Sequence, residues 1–582
     1  MIRFEGWRRF HTRWANRFAA RLATRARPDT GFTAQPEPRT IGTFARGRQL
    51  IGGNYQFAGH HIESPGTALW DLPAPHRAFE EELHGFAWLD DLAAVGDIAA
   101  RERAQDWTFG WIDRYGRGSG PGWTPNLTGR RLIRWINHAL LLLNGCGHTA
   151  TEAYFWSLAQ QTNYLSRRWH AAPSGLPRFE ALTGLVYAGL ALTGMERHVE
   201  AATLALGQEC QREIDAEGGI PSRNPEELLE IFTLLNWATQ ALGEADRKAP
   251  RAHLHAVERI APTLRCLRHA DGGLARFHGG GRGAEGRLDH ALATSGIRQH
   301  YAHGTVMGFC RLSGGRSTVI VDAAAPPGQR ASINAHASTT AFELTSGRRP
   351  VIVNCGSGAT FGAEWRRAGR ATASHSALAI EGYSSSRLKR PQVAGRAGTE
   401  PLAEAADVVE LQPWSNLDAI GLLIAHNGYE RTHGLLTTRQ LALSSDGRAL
   451  SGADRLSAVT DAERRRFDRI LQRGDKHGVA YALRFHLHPD VDAALDMGGT
   501  AVSLALKSGE IWVFRFGGRA ELSLEPSVYL ERGRLKPRAT KQIVLAARIA
   551  DYSGQIDWTL AKAQDTPQAT RDLEREDPLA GV

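Results

Sequence analysis

The hydrophobic pattern of this chain changes period once, and that change governs what the chain can fold into. From about residue 75 to 270, apolar residues recur at i, i+3, i+4 and i+7, the repeat of amphipathic helices. The predicted helices are 92–115, 126–143, 151–169, 179–192, 198–214, 225–242 and 251–267, separated by turns such as Gly145, Pro173-Ser174-Gly175 and Gly218-Gly219. Glycines then crowd the stretch from Gly272 to Gly286. Beyond them come short alternating or β-branched runs at 317–322, 340–344, 351–354, 377–380, 437–443, 481–488, 501–506 and 511–516. Turn pairs at Gly314-Gly315 and Asp446-Gly447 mark these runs as antiparallel strands.

At 582 residues the chain exceeds what one core can organise. The expectation is a multidomain α-then-β protein, an N-terminal incomplete (α/α) toroid followed by a C-terminal antiparallel β-sandwich. The boundaries read as an amphipathic arm at 1–30, a lead-in at 31–75, the toroid at 76–285, the sandwich at 286–560 and a flexible tail at 561–582.

The arm has a signal of its own. Arg9, Arg13, Arg17, Arg21 and Arg25 recur at every fourth residue beside Trp7, Phe10, Trp14, Phe18 and Leu22. Such a helix suits an anionic membrane surface; the alternative is an arm packed on the protein's own surface. No apolar h-region follows the Arg8-Arg9 pair, so the segment does not read as a secretory signal. The longest apolar run, near 139–144, is far below the roughly 20 residues that span a bilayer. Five scattered cysteines without a CxxC suit reduced, buried thiols. The expected location is cytoplasmic or peripheral to the inner membrane. A net charge of +9 favours anionic partners. No recognition helix or aromatic-basic module accompanies it, so nucleic acid is not expected. The oligomeric state is not legible.

Six stretches carry a family resemblance. In the helical half they are Trp123-Thr124-Pro125 with Arg131, Trp135 and Ile136; the run 185–190; and the 215–219 turn leading into Ser222-Arg223-Asn224-Pro225. In the β half they are Ala335-His336-Ala337 with Phe342-Glu343-Leu344; the run 351–356; and Arg370-Ala371-Thr372-Ala373-Ser374-His375. In order and spacing these stretches, across most of residues 80–550, resemble the heparinase II/III-like family of polysaccharide lyases. The resemblance implies β-elimination on an anionic, uronate-containing polysaccharide or oligosaccharide. That chemistry must neutralise the carboxylate, remove the C5 proton and protonate the leaving oxygen.

The family's motifs are altered here. Leu176-Pro177 follows Gly175 where the family has Asn-His, with Arg178 and Glu180 just beyond. Glu227 falls on the family's Tyr position. In place of His-x-His stands Asn334-Ala335-His336, so the base position is Asn334. Asn354 replaces the metal-type Asp, while both metal-type histidines remain as His336 and His375. An Asn amide neither accepts a proton as a base nor replaces an anionic ligand.

By resemblance the candidate catalytic residues are His336, His375, Glu227 and Glu180. The candidate substrate-binding residues are Arg178, Asn224, Asn334, Arg370, Trp123 and Arg131. A zinc held by His336, Asn354 and His375 is implied, the alternative being a hydrogen-bonded knot of the same three residues. Trp123 and its aromatic neighbours serve either as sugar platforms or as core, and Glu180 and Glu227 either as acid and base or as first-turn helix carboxylates. Three functions remain open: a lyase, a non-catalytic acidic-glycan-binding protein of the envelope, and a glycoside hydrolase using Glu180 and Glu227.

Overall fold

The structure, a computed structural model, describes residues 2–25, 31–34, 38–299, 304–389, 400–473 and 477–563. The expected tail at 561–582 lies almost wholly outside them. Two compact units emerge: one of Met1–Ala216 with Leu229–Arg259, the other of Glu217–Leu228 with the chain from Ile260 onward. A helical region followed by antiparallel sheets is the toroid-plus-sandwich architecture expected from the sequence. The second unit starts ahead of the glycine-rich stretch, because the 217–228 loop and the 260–285 segment bond to its strands.

In the first unit the periodic segments are helical, with two breaks that periodicity did not show. The 92–115 pattern is two helices, Trp88–Val95 and Ile98–Tyr115. Gly96 takes a left-handed φ of 67° and Asp97 caps the second helix by accepting from the Ala100 N–H. The 126–143 pattern likewise splits at His138 into Pro125–Asn137 and Ala139–Leu143. Helix Pro125–Asn137 packs on Leu176–Ala191 through glycine: a Cβ on Gly184 would stand 2.4 Å from the Gly129 Cα. Around that crossing Leu132, Ile133, Ile136, Leu182 and Val186 lose nearly all exposure, the burial that stabilises such a pair.

The N-terminal helix Ile2–Ala23 shows two faces. Asn16, Ala19, Ala20 and Ala23 are buried, and Arg168 donates to the Asn16 side chain at 2.9 Å. Trp7, Trp14 and Phe18 stay 62%, 57% and 58% exposed. The arm therefore packs on its own unit by small residues and leaves its aromatic stripe in solvent.

The second unit is built on two large antiparallel sheets, with a small two-stranded pair, Arg387–Leu388 and Leu402–Glu404, beside them. One runs, in spatial order, Glu521–Tyr529, Arg538–Ile549, Val479–Leu487, Arg349–Val353, Phe342–Ser346, Ser317–Asp322, Phe309–Gly314 and Gly304–Val306, with Leu378–Ile380 also on Val479–Leu487. The other runs Val408–Ser415, Ala419–Tyr429, Leu435–Ser444, Ala449–Ser457, Ser553–Lys562, Ile511–Gly517, Ala501–Ala505 and Asp492–Asp496. Between them Phe342 stacks on Trp558 at 5.8 Å and Phe485 meets Trp558 edge-on at 4.8 Å. Gly452 opposes Trp558 in register, and any Cβ there would strike the indole at 2.2 Å. A buried ion pair sits at this core: Arg439 donates to Asp454 at 2.7 Å and to the carbonyls of Thr340 and Ser376. Arg439 thereby fixes the two loops that carry His336 and His375.

Candidate functional site

The β half of the site is built on backbone turns held by buried charges. Arg223 has a left-handed φ of 50° and donates to the carbonyls of Met307, Gly308 and Ala325 and to Asp322 at 2.5 Å. Asp322 also accepts from Ser338 at 2.6 Å, and the His278 ring lies 3.4 Å away. Burial alone would raise this carboxyl, but the Arg223 charge and the His278 contact hold it well below the usual range. Arg276, Glu343, His269 and Asn354 form a second knot. The His269 ring lies 3.2 Å from Glu343, Arg276 contributes its backbone N–H to the same carboxylate, and Asn354 Nδ2 donates to it at 3.4 Å. Burial opposes ionisation of Glu343, and the His269 and Arg276 contacts outweigh it.

His336 and His375 stand between these knots, 1% and 0% exposed. The Gly279 N–H donates to His336 Nε2 at 3.0 Å, so the proton of that ring sits on Nδ1. His336 Nδ1 donates to His375 Nε2 at 3.0 Å, and His375 Nδ1 donates to the Ala371 carbonyl at 2.8 Å. Both tautomers follow from these partners, and all four ring nitrogens are engaged. Burial pushes His375 down to about 4, with the Ala371 bond opposing, and pushes His336 well below the usual imidazole value. Both rings are neutral at physiological pH.

The implied zinc does not fit these residues. Asn354 Oδ1 already accepts the Ser376 N–H at 3.0 Å, and among the described residues no carboxylate or thiolate completes the set. Among the described residues no group of three His, Cys, Asp or Glu side chains is placed to hold a metal ion. His336 and His375 bond to each other, while the Asn354 side chain bonds to Glu343 and to the Ser376 N–H, so the three residues do not form one hydrogen-bonded knot.

The exposed rim is different. Asn334 is exposed, and its Oδ1 accepts from Arg366 at 2.9 Å. The glycine turn 279–281 runs from Asn334 to Asn224 and Glu226: a Cβ on Gly279 would stand 3.0 Å from the Asn334 Cβ, and one on Gly280 would stand 2.4 Å from Asn224 Oδ1. Asn224 caps the helix Pro225–Glu244, accepting from the N–H groups of Glu226 and Glu227 at 3.0 and 3.2 Å. Glu227 is half-buried in that first turn. Its neighbour Glu226, which the sequence did not single out, accepts from Gly281 and from Arg532. Arg370 is 3% exposed and spends its guanidinium on the carbonyls of Ser332, Ala335 and Glu400. It shapes the Asn334 loop and has no face to offer a substrate carboxylate.

The candidates in the helical unit are also committed. Glu180 is buried against Arg130 at 2.5 Å, and its Oε2 lacks a hydrogen-bond partner. Burial raises its pKa, with Arg130 opposing. Arg178 donates to the Ala172 carbonyl at 2.8 Å and reaches Glu209 at 3.3 Å. Trp123 is 2% exposed, with its Nε1 donating to the Tyr115 carbonyl, so it is core and not a sugar platform. Arg131 is fully buried, 3.9 Å over the Trp111 ring, and donates to Gln161 and to the carbonyls of His84 and Gly122. The sequence missed Arg223, Asp322, His278, Arg276 and Arg439. Of these, Arg223 alone carried a signal in the sequence, since it lies inside Ser222-Arg223-Asn224-Pro225.

Comparison with known proteins follows this geometry. A family model described as heparinase II/III-like, C-terminal, matches residues 297–559. The protein "FtsZ-localized protein C" of Caulobacter vibrioides is 30% identical over 546 residues, spanning 92% of this chain and 91% of that protein. Heparinase III aligns with a TM-score of 0.68 at 12% identity, covering 93% of this chain and 88% of its own. A mutant of the heparan sulfate lyase HepC from Pedobacter heparinus aligns with a TM-score of 0.57 at 14% identity, covering 96% and 89%. These two structural likenesses concern the fold alone.

Proposed function

This chain belongs to the heparinase II/III-like family, and on that premise we propose that it is a binding protein that keeps the lyase fold without performing β-elimination. The observation that carries the reading is the His336–His375 pair. Both rings are buried, neutral and bonded at every nitrogen, and the exposed position beside them is Asn334, which cannot act as a base. The ligand class is an acidic glycan, supported by the chain's basic charge and by the heparan sulfate lyase named among its structural neighbours. The test incubates purified protein with a panel of acidic polysaccharides and follows the near-ultraviolet absorbance of unsaturated uronates alongside equilibrium binding. Saturable binding without absorbance supports the reading. An absorbance rise that disappears in Glu227→Gln would instead establish a lyase using that carboxylate.

A second element concerns place. The relative that matches along nearly the whole chain is named for FtsZ localisation, and the N-terminal helix presents an exposed aromatic stripe beside arginines. Among the described residues no helix is long and apolar enough to cross a membrane. The reading is a peripheral protein at an anionic membrane surface, coinciding with FtsZ. A fluorescent fusion imaged with labelled FtsZ tests it: coincident bands support it, and a uniform distribution overturns it.

A further inference from the structure

The second unit contains a cleft of ≈ 700 Å³ lined by Arg265, Arg268, Arg298 and Arg311, with one carboxylate, Asp289. It lies where the helix Arg251–Cys266 ends, beside the end of the helix Arg287–Ser295 and the strand Phe309–Gly314.

The hydrogen bonds of this cleft do not neutralise its charge. Arg311 donates to the carbonyls of Cys266 and Arg268 at 2.9 and 2.7 Å, and Arg265 donates to the carbonyls of Gln299 and Ile297. Carbonyls satisfy donors and leave the formal charge in place. Arg268 places one Nη between both oxygens of Asp289 at 2.9 and 3.0 Å, while its Nε is buried without a hydrogen-bond partner. Arg298 is exposed and pairs with no described residue. Two helix C-termini supply partial negative charge of roughly half a unit each, and Asp289 supplies one more. Against four guanidiniums that leaves an excess of about two positive charges. Burial presses both Arg265 and Arg311 below the ordinary arginine range, and the Arg268 charge pushes Arg311 the same way. Clustered like charge in a partly desolvated cleft favours an anion that accepts from several guanidiniums at once.

We propose that this cleft is a binding site for a phosphate monoester, a dianion taken between Arg268 and Arg298. The balance of charge favours a dianion over the singly charged sulfate ester. Leu292 and Ile297 on the cleft wall provide an apolar face for whatever carries the phosphate. The site is independent of the glycan reading, because none of its arginines belongs to the rim around Asn334.

Calorimetric titration of the full chain tests the proposal, using inorganic phosphate, sodium chloride at matched ionic strength, p-nitrophenyl phosphate and p-nitrophenyl sulfate. The expected result is saturable phosphate binding that chloride does not reproduce. Binding should weaken roughly ten-fold or more in Arg298→Ala and in Arg268→Gln, with p-nitrophenyl sulfate at least roughly ten-fold weaker than its phosphate counterpart. Absence of binding beyond the chloride control overturns the site. Wild-type affinity in Arg298→Ala overturns its assignment to this cleft, and equal affinity for the two esters overturns the dianion. If Arg268→Gln fails to fold, Arg298→Ala decides alone, since that side chain is exposed.

Discussion

His336 Nδ1 donates to His375 Nε2 across 3.0 Å, and both rings are neutral. The Gly279 N–H at one end and the Ala371 carbonyl at the other fix the direction of the chain of bonds. A pair wired in this way stores no free proton and offers no free lone pair. Its work is to join the glycine turn 279–281 to the loop after Arg370, which sets where Asn334 stands on the surface.

Acid sensitivity follows from that neutrality. A buried histidine whose pKa falls on folding binds its proton more readily in the unfolded chain. Its stabilising effect is therefore full above the unfolded value of ~6.5 and is lost as pH falls toward the folded value. His375 sits at about 4 in the folded protein, as do His253, His426 and His486. Asp91, raised to about 6 by burial, and Glu180, also raised by burial, act in the opposite sense but are two groups against these four histidines. Urea unfolding at pH ~7.5 and ~5 should show the protein less stable in acid, with His375 alone contributing about 2 kcal/mol of the difference. His375→Gln should flatten the slope by up to ~1.4 kcal/mol per pH unit; an unchanged slope would exclude a neutral buried His375.

Asn224 separates capping from ligand binding. Its Oδ1 accepts two N–H groups at the start of Pro225–Glu244, so Asn224→Ala should cost about 1 kcal/mol of stability and Asn224→Asp almost nothing. If Asn224 instead serves mainly to hold sugar, glycan affinity should fall in both variants while their thermal midpoints match wild type.

Glu180 is a structural ion pair in the helical unit. Removing one partner of a fully buried pair costs ~3–5 kcal/mol. Arg130 keeps 32% of its side chain in solvent, so Glu180→Ala should cost roughly 2 kcal/mol. Glu180→Gln should cost less, because its Oε1 still accepts from Arg130. Acid–base catalysis by Glu180 would appear as activity lost in Glu180→Gln at unchanged melting temperature.

The architecture was legible because periodicity reports burial. Apolar spacing placed the helices between about 75 and 270 but missed the breaks at Gly96 and His138, where a left-handed glycine and an irregular turn interrupt a stripe that continues across them. It did not pick out the helices Phe44–Ile51, Arg287–Ser295 and Asp461–Arg473. The candidate site was legible as motifs and not as contacts. Nothing in the spacing of His336 and His375 shows that each ring spends both nitrogens on neighbours, or that Arg370 and Arg178 are consumed by carbonyls. Those commitments depend on loops joined from distant sequence, as when Arg439 reaches Thr340 and Ser376. The same limit applies to Arg223, whose partner Asp322 lies 99 residues away.

The N-terminal helix carries the most discriminating prediction. Trp14 and Phe18 stack at 5.6 Å on the solvent face, while Ala20 and Ala23 on the other face are buried. The arm packs on its own unit and leaves the face with Trp14 and Phe18 in solvent. Because the aromatic stripe contributes little to the fold, Trp14→Glu and Phe18→Glu should leave the melting temperature unchanged. Each should lower co-sedimentation with vesicles containing anionic lipid by roughly ten-fold, since an aromatic ring that enters the interface adds 1 kcal/mol or more and a carboxylate is repelled there. Arg13, Arg17 and Arg21 should make wild-type binding salt-sensitive, each adding about 1 kcal/mol near an anionic surface. Ala20→Glu provides the converse control: it strikes the buried face and should loosen the arm without removing the aromatic stripe. Loss of sedimentation in Ala20→Glu with none in Trp14→Glu would reverse the assignment and make the packed face the membrane-binding one.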